Sequence, residues 1–150
     1  MIYTIGYQAL TPDKLKAICT HLDAGLIDCR ASPRSRVKGF GGRQLEALFG
    51  PWYVSLGHCL GGRGQTTPDG IESIAYFEGE SAAAKTGPRN CMLMCMETAP
   101  WECHRHHDIV QPHFPKALHV YMNGLYSPAD VERMIETRQP VPVRGTVFPE

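Results

Sequence analysis

Residues 91–107 read Cys91-Met92-Leu93-Met94-Cys95-Met96-Glu97-Thr98-Ala99-Pro100-Trp101-Glu102-Cys103-His104-Arg105-His106-His107. An apolar stretch breaks at Pro100 and restarts with a thiol, an imidazole and a guanidinium in succession, Cys103, His104 and Arg105. At the carboxyl end of a parallel strand, side chains point into a crevice, and the unpaired N–H groups of the following helix add partial positive charge there. Thiolates and anionic substrates are stabilised in such a field. Cys103 and Cys95 are therefore candidate nucleophiles, with Glu97 and His104 as candidate proton carriers. Cys103 is the favoured thiol, because it opens the expected helix beside two cationic side chains. The competing reading makes Cys95 a buried core thiol and sets His104, His106 and His107 on a solvated helix face.

Two further loops carry matching chemistry. Asp28-Cys29-Arg30-Ala31-Ser32-Pro33-Arg34-Ser35-Arg36 offers the forked donors of Arg30, Arg34 and Arg36, with Ser32 between them, to a carboxylate or phosphate. A solvated basic loop is the alternative. Asp28 is sharper, since a carboxylate in an apolar segment is costly unless paired, and it is expected to orient Arg30 or another loop arginine. Leu56-Gly57-His58-Cys59-Leu60-Gly61-Gly62-Arg63-Gly64 lacks the lysine of a phosphate-binding P-loop, but Gly61 and Gly62 permit close backbone approach and Arg63 adds charge. With Arg105, these residues describe an anion pocket for a phosphorylated small molecule, a nucleotide or nucleic acid, and a hydrolase or transferase at its edge.

Two other functions fit the same residues. A zinc or iron site would use Cys95, Cys103 and either His104 or His107, with Glu97 as a fourth ligand; Cys103 and His107 are four apart on one helical face. No Cys-x-x-Cys pair supports it. A non-catalytic nucleotide or nucleic-acid-binding module would hold phosphates through the arginines and stack bases on Tyr3, Tyr7, Trp52 or Trp101. A redox pair of Cys95 and Cys103 is a further reading.

The elements that must position these residues alternate. Strands are expected over 2–7, 26–30, 52–56, 91–96 and 117–121. Helices are expected from Pro12 to a stop at Gly25, over 44–49, 71–82 and 101–111, and after the capping Ser127. The fold class is α/β, a three-layer arrangement of a mostly parallel five-stranded sheet with helices on both faces. The first two strands and their helix form a βαβ unit, and the long loops after strands two, three and four gather at the carboxyl edge. Residues 1–138 make one domain, and 139–150 a proline-rich tail that orders only on that domain or on a partner.

Fifteen basic and fifteen acidic residues cancel, so no global field advertises nucleic acid or anionic lipid, and any such contact is local. The opening residues carry no leader pattern, and six cysteines then suggest free thiols in the cytoplasm. No apolar run reaches membrane-spanning length.

Four motifs fall in order: Thr4-Ile5-Gly6-Tyr7; residues 27–36, with Asp28, Arg30, Ser32, Pro33 and Arg36; Leu60-Gly61-Gly62-Arg63; and Cys95-Met96-Glu97 through Pro100 to Cys103-His104-Arg105. They resemble the bacterial and phage family catalogued as domain of unknown function 488, across roughly residues 1–110. The family pattern has histidine where this chain has Tyr7 and Asp-Val-Arg where it has Cys29, and is longer in the third loop, as if this were a compact, phage-encoded member. The resemblance implies an α/β fold and a shared pocket and supplies no reaction.

Overall fold

The structure is a computed structural model that describes residues 1–62 and 65–148. Six strands form one sheet: β1 (Ile2–Gly6), β2 (Ala24–Asp28), β3 (Tyr53–Ser55), β4 (Asn90–Cys95), β5 (Leu118–Tyr121) and β6 (Gly124–Tyr126). Their order is β3-β2-β4-β1-β5-β6, with every pairing parallel except β5 with β6. The sheet is thus the expected α/β type, one strand wider. The sixth strand is short and follows a two-residue turn, Met122-Asn123, in which Met122 takes the left-handed backbone (φ 57°).

Helices α1 (Pro12–His21), α2 (Gly42–Phe49), α3 (Gly57–Leu60), α4 (Pro68–Ala83), α5 (Gln111–His113) and α6 (Pro128–Thr137) complete the fold. Thr11 caps α1 through its hydroxyl, and Pro12 occupies the first turn, where its missing N–H costs nothing. The helix stops earlier than expected: Asp23 turns left-handed (φ 51°), and Gly25 lies inside β2. β1, α1 and β2 form the expected βαβ crossover, with β4 inserted between the two parallel strands.

Two apolar layers sandwich the sheet. Leu15, Ile18, Leu45 and Phe49 of α1 and α2 pack with Ile5, Leu26, Met92 and Met94 on one face. Leu60, Ile74, Ile109 and Val110 pack with Ile27, Cys29, Cys91 and Leu93 on the other. The alternation of Cys91, Leu93 and Cys95 against Met92 and Met94 follows from the two-residue period of a strand buried on both sides.

The described part of the tail packs on the domain. Val147 is buried, the backbone of residues 144–147 bonds to residues 123–125, and Arg144 pairs with Asp130 in α6. Among the described residues, no helix is long and apolar enough to cross a membrane.

Candidate functional site

The carboxyl end of β4 delivers Cys95, after which the chain turns over β1. Gly6 makes that crossing possible: a Cβ there would lie 1.7 Å from the Glu97 carbonyl oxygen. Cys103 is extended (φ −128°, ψ 143°), and a π-helix (Arg105–Val110) follows, in place of the continuous helix expected over 101–111. Wide turns of this kind recur where a helix serves a site. Cys103 therefore precedes the helix, and its carbonyl accepts from the amides of His106 and His107.

This break decides between His104 and His107. His107 is exposed and donates its Nε2–H to the Trp101 carbonyl at 2.7 Å, away from the cysteines. His104 faces them instead. Its Nε2 lies 2.8 Å from the Leu60 carbonyl and 3.2 Å from that of Cys29. Carbonyls only accept, so Nε2 carries the proton. The Nδ1 lone pair then points at two sulfurs, Cys95 Sγ at 3.6 Å and Cys103 Sγ at 3.7 Å.

The two thiols are electrostatically unequal. A hydrogen bond from Cys95, aided by His104, the Arg105 charge and the Arg105 amide, pulls Cys103 far below the ordinary thiol range despite its burial. The same bond, reinforced by burial, pushes Cys95 far above it. Burial opposes charge on His104, yet the adjacent Cys103 thiolate and the two carbonyls raise its pKa above the usual histidine value. Cys29, wholly buried, is pushed up by burial and by the charges of Asp28 and Cys103, and stays a neutral thiol.

Cys95, Glu97, His104, Ser32, Arg34 and Gly62 line an open cavity of about 580 Å³ at the carboxyl edge of the sheet. Glu97 Oε2 is buried there without a hydrogen-bond partner among the described residues. Cys103, only 2% exposed, lies behind Cys95 and does not line the cavity, so the favoured nucleophile is the shielded thiol. A Cβ on Gly62 would sit 3.0 Å from His104 Nδ1, so the glycine keeps space open beside that nitrogen. Gly61 is packed against Ala31 and Gly57 and does not line the cavity; Arg63 lies outside the described residues.

The arginines divide. Arg34 is exposed at the cavity rim, whereas Arg36 is exposed and does not line the cavity. Arg30 borders the cavity but is a buried structural cation: its Nε and Nη2 clasp Asp28 at 2.9 and 2.7 Å, and Nη1 donates to the Phe40 carbonyl at 2.6 Å. Asp28 thus does orient Arg30, with Tyr53 donating to it at 2.6 Å. Arg105 is no ligand clamp. It is fully buried and donates to the carbonyls of Glu97 (2.6 Å) and Thr98 (3.1 Å) and to the Thr4 hydroxyl (3.1 Å), stapling the turn after β4.

Sequence reasoning missed the chain beyond Arg105. Thr4 Oγ1 meets His119 Nδ1, His119 Nε2 meets His106 Nδ1 at 3.0 Å, and His106 Nε2 meets Glu132 at 2.7 Å. One proton order satisfies every member: Arg105 donates to Thr4, Thr4 to His119, His119 to His106, and His106 to the carboxylate. Polar Thr4 and His119 inside apolar strands were the available signals. Tyr7, offered as a base-stacking ring, is buried on Phe40 with its hydroxyl on Ser35. Comparisons of the chain with family models, curated proteins and solved structures find no match.

Proposed function

We propose that the protein is an enzyme, a hydrolase or transferase acting on a phosphate-bearing, nucleotide or nucleic-acid-like substrate in the cavity at the carboxyl edge of the sheet. The observation that carries this reading is Glu97 at an open cavity beside Cys95 and His104, its Oε2 buried and, among the described residues, unpartnered. A cavity-lining carboxylate with no donor among the described residues is suited to take a substrate proton. Arg34 and Ser32 would hold the anion at the rim, and Glu97 would move the proton. The sulfur–imidazole centre faces the substrate through Cys95 and His104.

Membership of the domain of unknown function 488 family belongs to the same proposal. It is supported by motifs that end three adjacent central strands, β2, β4 and β1. The six free thiols support a reducing, cytoplasmic setting.

The test is a panel of nucleotides, phosphomonoesters and short oligonucleotides assayed for binding and turnover. Arg34→Ala should weaken binding about tenfold and flatten its salt dependence, while Glu97→Gln should cut turnover by about 10²-fold or more with binding retained. Binding without turnover would leave only the non-catalytic module, and neither would end the reading.

A further inference from the structure

We propose that Cys95, Cys103 and His104 bind a divalent zinc-class metal ion, with a fourth coordination position open to the cavity. The three donor atoms lie within 4.8 Å of one another. Zinc–sulfur bonds of about 2.3 Å and a zinc–nitrogen bond of about 2.0–2.1 Å at tetrahedral angles give nitrogen–sulfur edges of roughly 3.6 Å. The observed edges are 3.6 and 3.7 Å. A single S–H···N bond would occupy the Nδ1 lone pair with one sulfur. Two sulfurs equally distant from one lone pair are the arrangement an ion between all three requires.

The surroundings fit as well. The carbonyls of Leu60 and Cys29 fix the His104 ring in the tautomer that presents Nδ1, the usual support for a ligating histidine. The Arg105 amide donates to Cys103 Sγ at 3.5 Å, which favours the thiolate. Gly62 keeps room beside Nδ1 on the cavity side. Two sulfurs and an imidazole select zinc over the hard, oxygen-preferring cations.

Binding balances as the ion plus the Cys95 thiol, the Cys103 thiolate and neutral His104, giving the complex and one released proton. Two thiolates cancel the ion's charge, and Arg105, for which no carboxylate partner exists among the described residues, leaves a buried positive field. The fourth ligand should therefore be an anion: hydroxide, the Glu97 carboxylate or a phosphate oxygen. This preference rests on the proposed anionic substrate; the metal site itself does not. The nearby trio His106, His107 and Glu132 is a poorer site, because both ring nitrogens of His106 are already engaged.

Metal-stripped full-length protein should take up one equivalent of zinc or cobalt(II). The cobalt form should show thiolate charge-transfer absorption and the intense visible bands of a tetrahedral ion. His104→Gln and Cys103→Ser should lower affinity more than about tenfold, while His107→Gln should not change it. Absence of sulfur charge transfer in the folded wild-type protein would overturn the site even if the variants misfold, as would loss of metal in His107→Gln. Metal uptake without turnover of any substrate would sink the enzyme reading alone. Full turnover by stripped protein would sink a metal role in catalysis while the cobalt spectrum still decides the site.

Discussion

Two arginines are buried on opposite faces of the same sheet, and their surroundings differ in one respect. Arg30 is neutralised where it stands: Asp28 grips it with both oxygens, and the Tyr7 ring lies 5.1 Å from its guanidinium. Arg105 has carbonyls and a hydroxyl but, among the described residues, no acid. A buried charge without a counterion acts on whatever titrates nearby. On the Arg105 side, Cys95 and His104, with that cation's help, hold the Cys103 thiol down as an anion, and burial first of all lowers the pKa values of His119 and His106, with a smaller contribution from Arg105. One face neutralises its buried cation with an acid; the other leaves it to act on neighbouring thiols and imidazoles.

Removing the acid from the self-contained pair should have the largest effect. Asp28→Asn leaves Arg30 unpaired and should cost about 3–5 kcal/mol, read as a shift in the denaturation midpoint, while cobalt binding by the remaining folded protein persists. Loss of the cobalt spectrum there would mean that the two faces are coupled. Next comes Arg105→Met, which strands the carbonyls of Glu97 and Thr98 and should cost about 2–3 kcal/mol. In metal-free protein it should also move the Cys103 titration up toward the ordinary thiol range, followed by thiolate absorbance. An unmoved titration would assign the shift to Cys95 and His104 instead.

The smallest effect separates the histidines by sign. His104, raised above 6.5 in the metal-free fold, contributes stability that is complete below that value and is lost as pH rises through its folded pKa. His106 and His119, lowered from 6.5, contribute stability that is complete above it and is lost as pH falls through theirs. His119→Phe should therefore shrink the acid-side loss alone, measured as unfolding midpoints on either side of that pH. An unchanged acid slope would clear the buried histidine chain of responsibility.

Much of this site is legible in the sequence because strand ends are local. The apolar run, its break and the loops after β2 and β4 suffice to gather Cys95, Glu97, His104 and Arg34 at one edge, and an acid within a strand suffices to expect a partner for Asp28. What was not legible depends on backbone shape or distant contacts. The helical spacing that offered His107 beside Cys103 assumed a continuous helix, and the extended Cys103 before the π-helix leaves His104 as the histidine on the sulfurs. Arg105 reads as a ligand clamp until the turn over Gly6 presents carbonyls to it. Thr4 and His119 meet only because β1 pairs with β5 in that register.

The placement of β4 between β1 and β2 also bears on the route by which the molecule folds. β1 pairs only with β4 and β5, so the first strand has no sheet partner until residues 90–95 have joined it. Closing so long a loop before any strand contact rewards it slows the search and leaves an early edge exposed. The strand that ends this wait is the one that carries Cys95. The centre of the sheet therefore closes with the strand that carries Cys95, and metal capture should follow that pairing as a late phase in refolding.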